Sequence, residues 1–202
     1  LVGSEMCIRD SSILGVLSQL DLMSFISNHS HLIALQVEQA GSVEELQTAA
    51  RQIDGLVKLL HQGGVKIEVI ATLVSELNTQ IFARLWRLIA PPDLVTHSCL
   101  LVMGSEGRGE QILKTDQDNA LILAEGYEHP GLEAVAQRFN EALAGCGYPP
   151  CPGNVMLTNP LWRQPLPAFK ATITDWLLGS DPEAPMNPVS YTHLTLPTSD
   201  LV

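Results

Sequence analysis

The stretch from Leu100 to Glu125, LLVMGSEGRGEQILKTDQDNALILAE, constrains the fold more than any other part of the chain. Two apolar runs of strand length bracket a Gly-Ser corner, a short polar segment and two aspartates one residue apart. HSCLLVM reads as a strand, SEGRGEQILK as a short helix or helical turn, and NALILAE as a second strand. Either the Gly-Ser or the Asp-x-Asp alone is commonplace in polar turns. Strand, corner, helix, paired acids and strand in register are not.

The flanking segments predict the rest. Ser42-x-x-Glu45 is a capping box, and it opens a helix with Leu46, Ala50, Ile53, Val57 and Leu60 on one face. Gly63-Gly64 ends that helix. A second carries Ile67, Ile70, Val74, Leu77, Ile81, Leu85 and Leu88 on one stripe and stops at Pro91-Pro92. The two read as an antiparallel hairpin over residues 37–92, a connector or brace, with Arg84 and Trp86 able to face a neighbouring domain. Beyond Pro92 come the two strands, a helix in PGLEAVAQRFNEALAGCG, a Pro/Gly-dense loop GYPPCPGNVM leading into a short strand, and a helix in PAFKATITDWLLGS. The expected fold is α+β: a helical hairpin, then a core over residues 93–186 with a small mixed sheet flanked by helices.

Both ends are set aside. LVGSEMCIRDS (1–11) and the segment from residue 187 to 202 resemble translated sequencing-adapter read-through, so the chain is expected to be a fragment. Between them, ILGVLS followed by QLDLMSFISNHS resembles the last strand and helix of a CBS domain, over residues 12–36. His29 and His31 fall at its end, where a solvated helix terminus is expected rather than a metal site.

Charge narrows the function. Eleven Lys and Arg face 22 Asp and Glu, a net charge of −11, which argues against a nucleic-acid surface. Such a protein can still take a nucleotide if a divalent cation offsets the repulsion. No apolar run is long enough to span a membrane. Cys7, Cys99, Cys146 and Cys151 lack zinc-site spacing and are too sparse for a disulfide scaffold, as expected of reduced thiols in a cytoplasmic protein. Cys146 and Cys151 read as packing residues around the Pro-rich loop.

Asp116 and Asp118 project to one face of an extended segment. Two carboxylates held together call for a hard cation such as Mg²⁺, which takes oxygen ligands from one or two carboxylates and from substrate phosphates. Gly104 permits close backbone approach at the corner, Ser105 adds a hydroxyl, and Arg108 or Lys114 can reach a phosphate. The P-loop and dinucleotide patterns are absent. A phosphate cradle beside a metal clamp is the equipment of metal-assisted nucleotidyl transfer.

GSEGRGEQILKTDQDNALI resembles the nucleotidyltransferase domain found downstream of CBS and cyclic-nucleotide-binding domains. That domain is related to the N-terminal domain of PII protein uridylyltransferase, in the DNA polymerase β-like superfamily. The likeness continues through EQAGSVEELQTAARQIDGLVKLL, LVSELN, GYPPCPGNVM, NPLWR and WLL…DPE, from about Val37 to Glu183. It implies a polymerase-β-like core in which Gly104 and Ser105 bind nucleotide phosphates. Asp116 and Asp118 would be the catalytic metal ligands, with Arg108, Lys114 and Thr115 beside the nucleotide. Glu110, Gln117 and Asn119 also match motif positions. Asn159, Trp162 and Arg163 are candidates for the cleft wall. The superfamily's third carboxylate is expected after residue 183; Asp175, on a helix beside Trp176, is a poor substitute. The implied activity is Mg²⁺-dependent transfer of a nucleoside monophosphate from UTP or ATP to a hydroxyl acceptor, with a tyrosine of a PII-like signalling protein as leading acceptor. The alternative is a silent nucleotide-sensing module coupled to an upstream CBS or cyclic-nucleotide-binding domain.

Overall fold

A computed structural model describes residues 5–9, 12–17 and 19–178. The DPE of residues 181–183 and the segment from 187 onward lie outside the described residues. The first elements are two antiparallel strands, β1 (Glu5–Arg9) and β2 (Ser12–Leu17). The strand-then-helix step expected near residue 18 is present. The helix, α1 (Gln19–Gln39), continues past the expected end, so His29 and His31 sit within it and no break falls at 36/37.

Helix α2 (Val43–Gln62) begins where the capping box places it. The Ser42 hydroxyl accepts from the Glu45 amide at 3.2 Å, and the Glu45 carboxylate reaches back to the Gly41 amide at 2.7 Å. The reciprocal bond therefore goes one residue earlier than the usual box, to Gly41. Gly63-Gly64 ends α2, and α3 (Ile67–Ile89) follows after a tight turn. The buried residues of both helices follow the expected stripes, except that Ile67, in the first turn of α3, is exposed and Leu88, near its end, is half-buried. Helix α1 packs against both, so the expected hairpin is one part of a three-helix unit. Pro91 and Pro92 stop α3, and Pro92 starts the short α4 (Pro92–Thr96), where its missing N–H costs nothing.

Strands β3 (Ser98–Val102), β4 (Asn119–Leu123) and β5 (Arg163–Pro165) form a sheet in that spatial order. β3 and β4 run antiparallel with Leu100 opposite Leu121; β4 and β5 run parallel with Leu121 opposite Arg163. The sheet is thus mixed and small, as expected. Around it lie α5 (Gly104–Gly107), α6 (Leu132–Gly145), a 3-10 turn at Pro160–Trp162 and α7 (Leu166–Leu178). The GYPPCPGNVM loop does not lead directly into a strand. Its prolines lack ladder donors, and the third strand forms only at Arg163, after the 3-10 turn.

Alternation sorts the strand residues into two cores. Leu100, Val102, Leu121 and Leu123 join the three-helix unit and α6 in one continuous cluster. Leu101, Met103 and Ala120 face the opposite side with Val155, Trp162, Phe169 and Trp176. Trp86 of α3 meets Phe139 of α6 edge-on at 5.4 Å, so α3 does face the sheet-bearing part of the chain. Arg84, by contrast, turns back to the Ala40 carbonyl. Among the described residues no helix is long and apolar enough to cross a membrane.

Candidate active site

Met103 closes β3 by donating its amide to the Asp118 carbonyl at 2.9 Å. The chain then turns at Gly104, whose φ of +62° is the left-handed region that glycine adopts without strain. A Cβ on residue 104 would overlap the Asp118 carboxylate. Gly104 is therefore required twice, by backbone conformation and by the acid lying against it. Helix α5 is a single turn, closed by the Gly107 amide on Met103 and the Arg108 amide on Gly104.

The segment from Asp116 to Asn119 divides by alternation. Asp116 and Asp118 share one face, as expected of an extended i, i+2 pair. Gln117 and Asn119, both fully buried, point the other way into an amide network. Asn140 of α6 donates to Gln117 at 2.6 Å and to Asn119 at 3.0 Å. Gln117 donates to the carbonyls of Asn140 and Tyr148, and Asn119 accepts from the Leu157 amide. The roles of Gln117 and Asn119 are thus structural: they clamp the acid-bearing segment to α6 and to the Pro-rich loop.

A thiol completes the acid pair. Asp116, Asp118 and Cys151 offer donor atoms that all lie within 4.8 Å of one another, and among the described residues they are the one such group of three. Cys151 packs in the smaller core, as expected, and also brings its thiol within 4.8 Å of the acid pair, where its interaction lowers Asp118. Burial pushes Cys151 up to about 11, reinforced by the anion it faces. It stays a neutral donor. Asp118 is raised from its ordinary range, first by burial, with the Cys151 bond opposing and the Asp116 charge adding. Its Oδ1 is buried and has no hydrogen-bond partner.

These observations fit a hard divalent cation. A buried carboxylate oxygen without a partner, beside a second carboxylate and at a corner cleared by glycine, is satisfied by an oxygen-seeking ion. Asp116 and Asp118 would hold it; the Cys151 sulfur is a soft donor that does not suit Mg²⁺.

The remaining site residues are placed unevenly. Ser105 and Thr115 bring their hydroxyls to 3.4 Å across the mouth of the loop, and Gln111 donates to Thr115 at 2.8 Å. Arg108 lies close enough for its charge to lower Asp118, while its Nε donates to Glu110 at 2.9 Å. Lys114 is engaged elsewhere. Its ammonium is buried against α2, donating to the Ala50 carbonyl at 2.7 Å and to Asp54 at 2.8 Å. Asp175 is exposed on α7 and is not part of the acidic group. Asn159 caps the 3-10 turn, Arg163 donates to the Leu157 carbonyl, and Trp162 packs on Trp176. Those three serve the fold of the region rather than the acid pair.

Glu106 went unnoticed in the sequence. It is buried behind α5, accepts from Asn78 of α3 at 3.0 Å, and is raised by burial to about 7. Nothing in a GSEGR string marks its third residue for burial; only the packing of α5 on α3 does.

A small mixed sheet whose glycine corner abuts one of two paired carboxylates has the makeup of a metal-dependent nucleotidyltransferase core. The chain matches the family described as Putative nucleotidyltransferase DUF294 over residues 51–183 and belongs to that family. No curated protein matches the chain, and no solved structure matches it.

Proposed function

We propose that the protein transfers a nucleoside monophosphate from a nucleoside triphosphate, UTP or ATP, to a hydroxyl acceptor, with Mg²⁺ at Asp116 and Asp118. What carries this reading is the contact of Gly104 with the Asp118 carboxylate, which sets the glycine corner directly against the acid pair that could hold a metal. The family match supports the reaction class. When bound, the cation would supply charge neutralisation and Lewis acidity at the transferred phosphoryl group. The chain's own groups do the rest. Gly104 gives the triphosphate close access to the backbone, Ser105 and Thr115 offer hydroxyls, and Arg108 offers positive charge. Cys151 keeps Asp118 oriented, and the amide network of Gln117, Asn119 and Asn140 holds the acid pair rigid. Lys114 supports the loop from α2. The favoured acceptor is a tyrosine of a PII-like signalling protein, and the favoured setting is a cytoplasmic chain with an upstream CBS or cyclic-nucleotide-binding domain.

A silent nucleotide sensor is the second reading. What favours it is that, among the described residues, the third group at the acid pair is a neutral thiol, which cannot serve as the general base that a carboxylate would. Incubation with Mg²⁺ and α-labelled UTP or ATP separates the two. Label transferred to protein supports the enzyme; metal-dependent binding without transfer supports the sensor. If Asp116→Ala and Asp118→Ala bind nucleotide as the wild type does, both readings fail.

A further inference from the structure

Behind the Gly104 corner lies a polar cluster that the proposed chemistry does not use. Asn78 of α3, Glu106 of α5 and Tyr148 after α6 are all more than nine-tenths buried. Each leaves a polar atom without a hydrogen-bond partner: Asn78 Oδ1, Glu106 Oε1 and the Tyr148 hydroxyl. The bond made is Asn78 Nδ2 to Glu106 Oε2. An apolar residue at 106 would fill such a space without the desolvation penalty of an acid. The acid has to be explained by something other than stability.

Position supplies the explanation. Helix α5 is one turn and cannot hold its own shape, since a single turn lies within the unfavourable nucleation regime. It nonetheless has to keep Gly104 flush against Asp118, with no room for even a Cβ between them. Glu106 is the α5 side chain that reaches across to α3, a 23-residue helix packed on both α2 and α6.

We propose that Glu106 is a positioning residue: through Asn78 it anchors the one-turn helix α5 to α3, and so sets Gly104 against the Asp118 carboxylate in the geometry that takes the metal–nucleotide complex. The inference rests on the reading of that corner as the nucleotide site. Glu106 acts through Gly104, so its influence falls on nucleotide affinity rather than on a reacting atom. The groups facing it are Asn78, which carries no charge, and Tyr148, whose buried phenol is raised well above its ordinary range and stays neutral. Burial raises Glu106 itself to about 7, so its ionisation falls near neutrality.

Titration of the full chain with labelled ATP and UTP in Mg²⁺ tests this. Glu106→Gln keeps an acceptor for Asn78 and carries no charge, and is expected to bind within about twofold of wild type at slightly acidic pH. Glu106→Ala and Asn78→Leu are expected to weaken binding about tenfold, the scale of one lost buried hydrogen bond. Should Glu106→Ala bind as wild type while Asp118→Ala does not, the anchor is refuted and the nucleotide site stands. Should Asp118→Ala also leave binding unchanged, the site reading is wrong and the anchor falls with it. If Glu106→Ala fails to fold, Asn78→Leu decides, and wild-type affinity in the folded Asn78→Leu protein overturns the proposal.

Discussion

The Asp118 carboxylate occupies the space that a Cβ on residue 104 would need, and residue 104 holds a left-handed φ. Gly104→Ala therefore meets two penalties at once. The backbone term is about 1–2 kcal/mol for a non-glycine residue in that region, and the overlap forces the acid out of place. The expected outcome is a lower melting temperature together with loss of Mg²⁺-dependent nucleotide binding. Adding Asp118→Ala removes the overlap, so the double variant should be less destabilised than the two single losses added together. Simple additivity in thermal melts would show that the two residues do not meet.

Lys114 offers a test of a different kind, because its motif position suggests phosphate and its contacts point to α2. The buried ammonium bonds Ala50's carbonyl and Asp54. Lys114→Met should cost about 1–3 kcal/mol, chiefly from the orphaned carbonyl and the lost charged bond. Asp54 is half exposed, so the ion pair itself adds little. Nucleotide affinity is expected to change by less than about threefold. Urea denaturation and nucleotide titration on the same sample decide between the roles: affinity lost with stability intact would return this lysine to the phosphates.

The contrast between Gly104 and Lys114 shows what was legible before any coordinates. Period-2 and period-3.6 patterns act locally, so the strands around residues 98–123, the stripes of α2 and α3 and the shared face of Asp116 and Asp118 could be read directly. The capping box and the prolines at 91 and 92 marked helix ends for the same reason. Contacts between elements could not be read this way. Cys151 reaches Asp118 only because the Pro-rich loop folds back over β4, and Glu106 is buried only because α5 packs on α3. The length of α1 was missed because SNHSH carries poor helix formers, which packing on α2 and α3 overrides.

Asn140 is the hub of the network beneath the acids. It donates to Gln117 and Asn119 and accepts from the Thr158 amide at 3.2 Å. Asn140→Leu conserves bulk but strips partners from several buried polar groups, at an expected cost of about 2–4 kcal/mol. Because that network holds the back of the segment carrying Asp116 and Asp118, metal-dependent nucleotide affinity should fall as well. The measurement is the denaturant midpoint alongside nucleotide titration under conditions where the variant is fully folded. Unchanged affinity in that folded population would show that the acid pair does not depend on the amides behind it.

Glu106 sets an expectation for stability against pH whose sign follows from burial. Folded, the acid titrates near 7; unfolded, at its ordinary value of 4.5. Between those values the folded chain binds a proton that the unfolded chain has released, so stability falls as pH rises through the window. The loss amounts to something on the order of 3 kcal/mol and levels off above about pH 7. Glu106→Gln cannot ionise and escapes it. The variant should match wild type near pH 4 and exceed it near pH 8, as read from urea denaturation at each pH. A difference independent of pH would mean that Glu106 ionises like an exposed acid. A gain confined to the higher pH, with nucleotide affinity kept by the variant, would show that the bond accepted from Asn78, rather than the charge, is what holds the corner at Gly104.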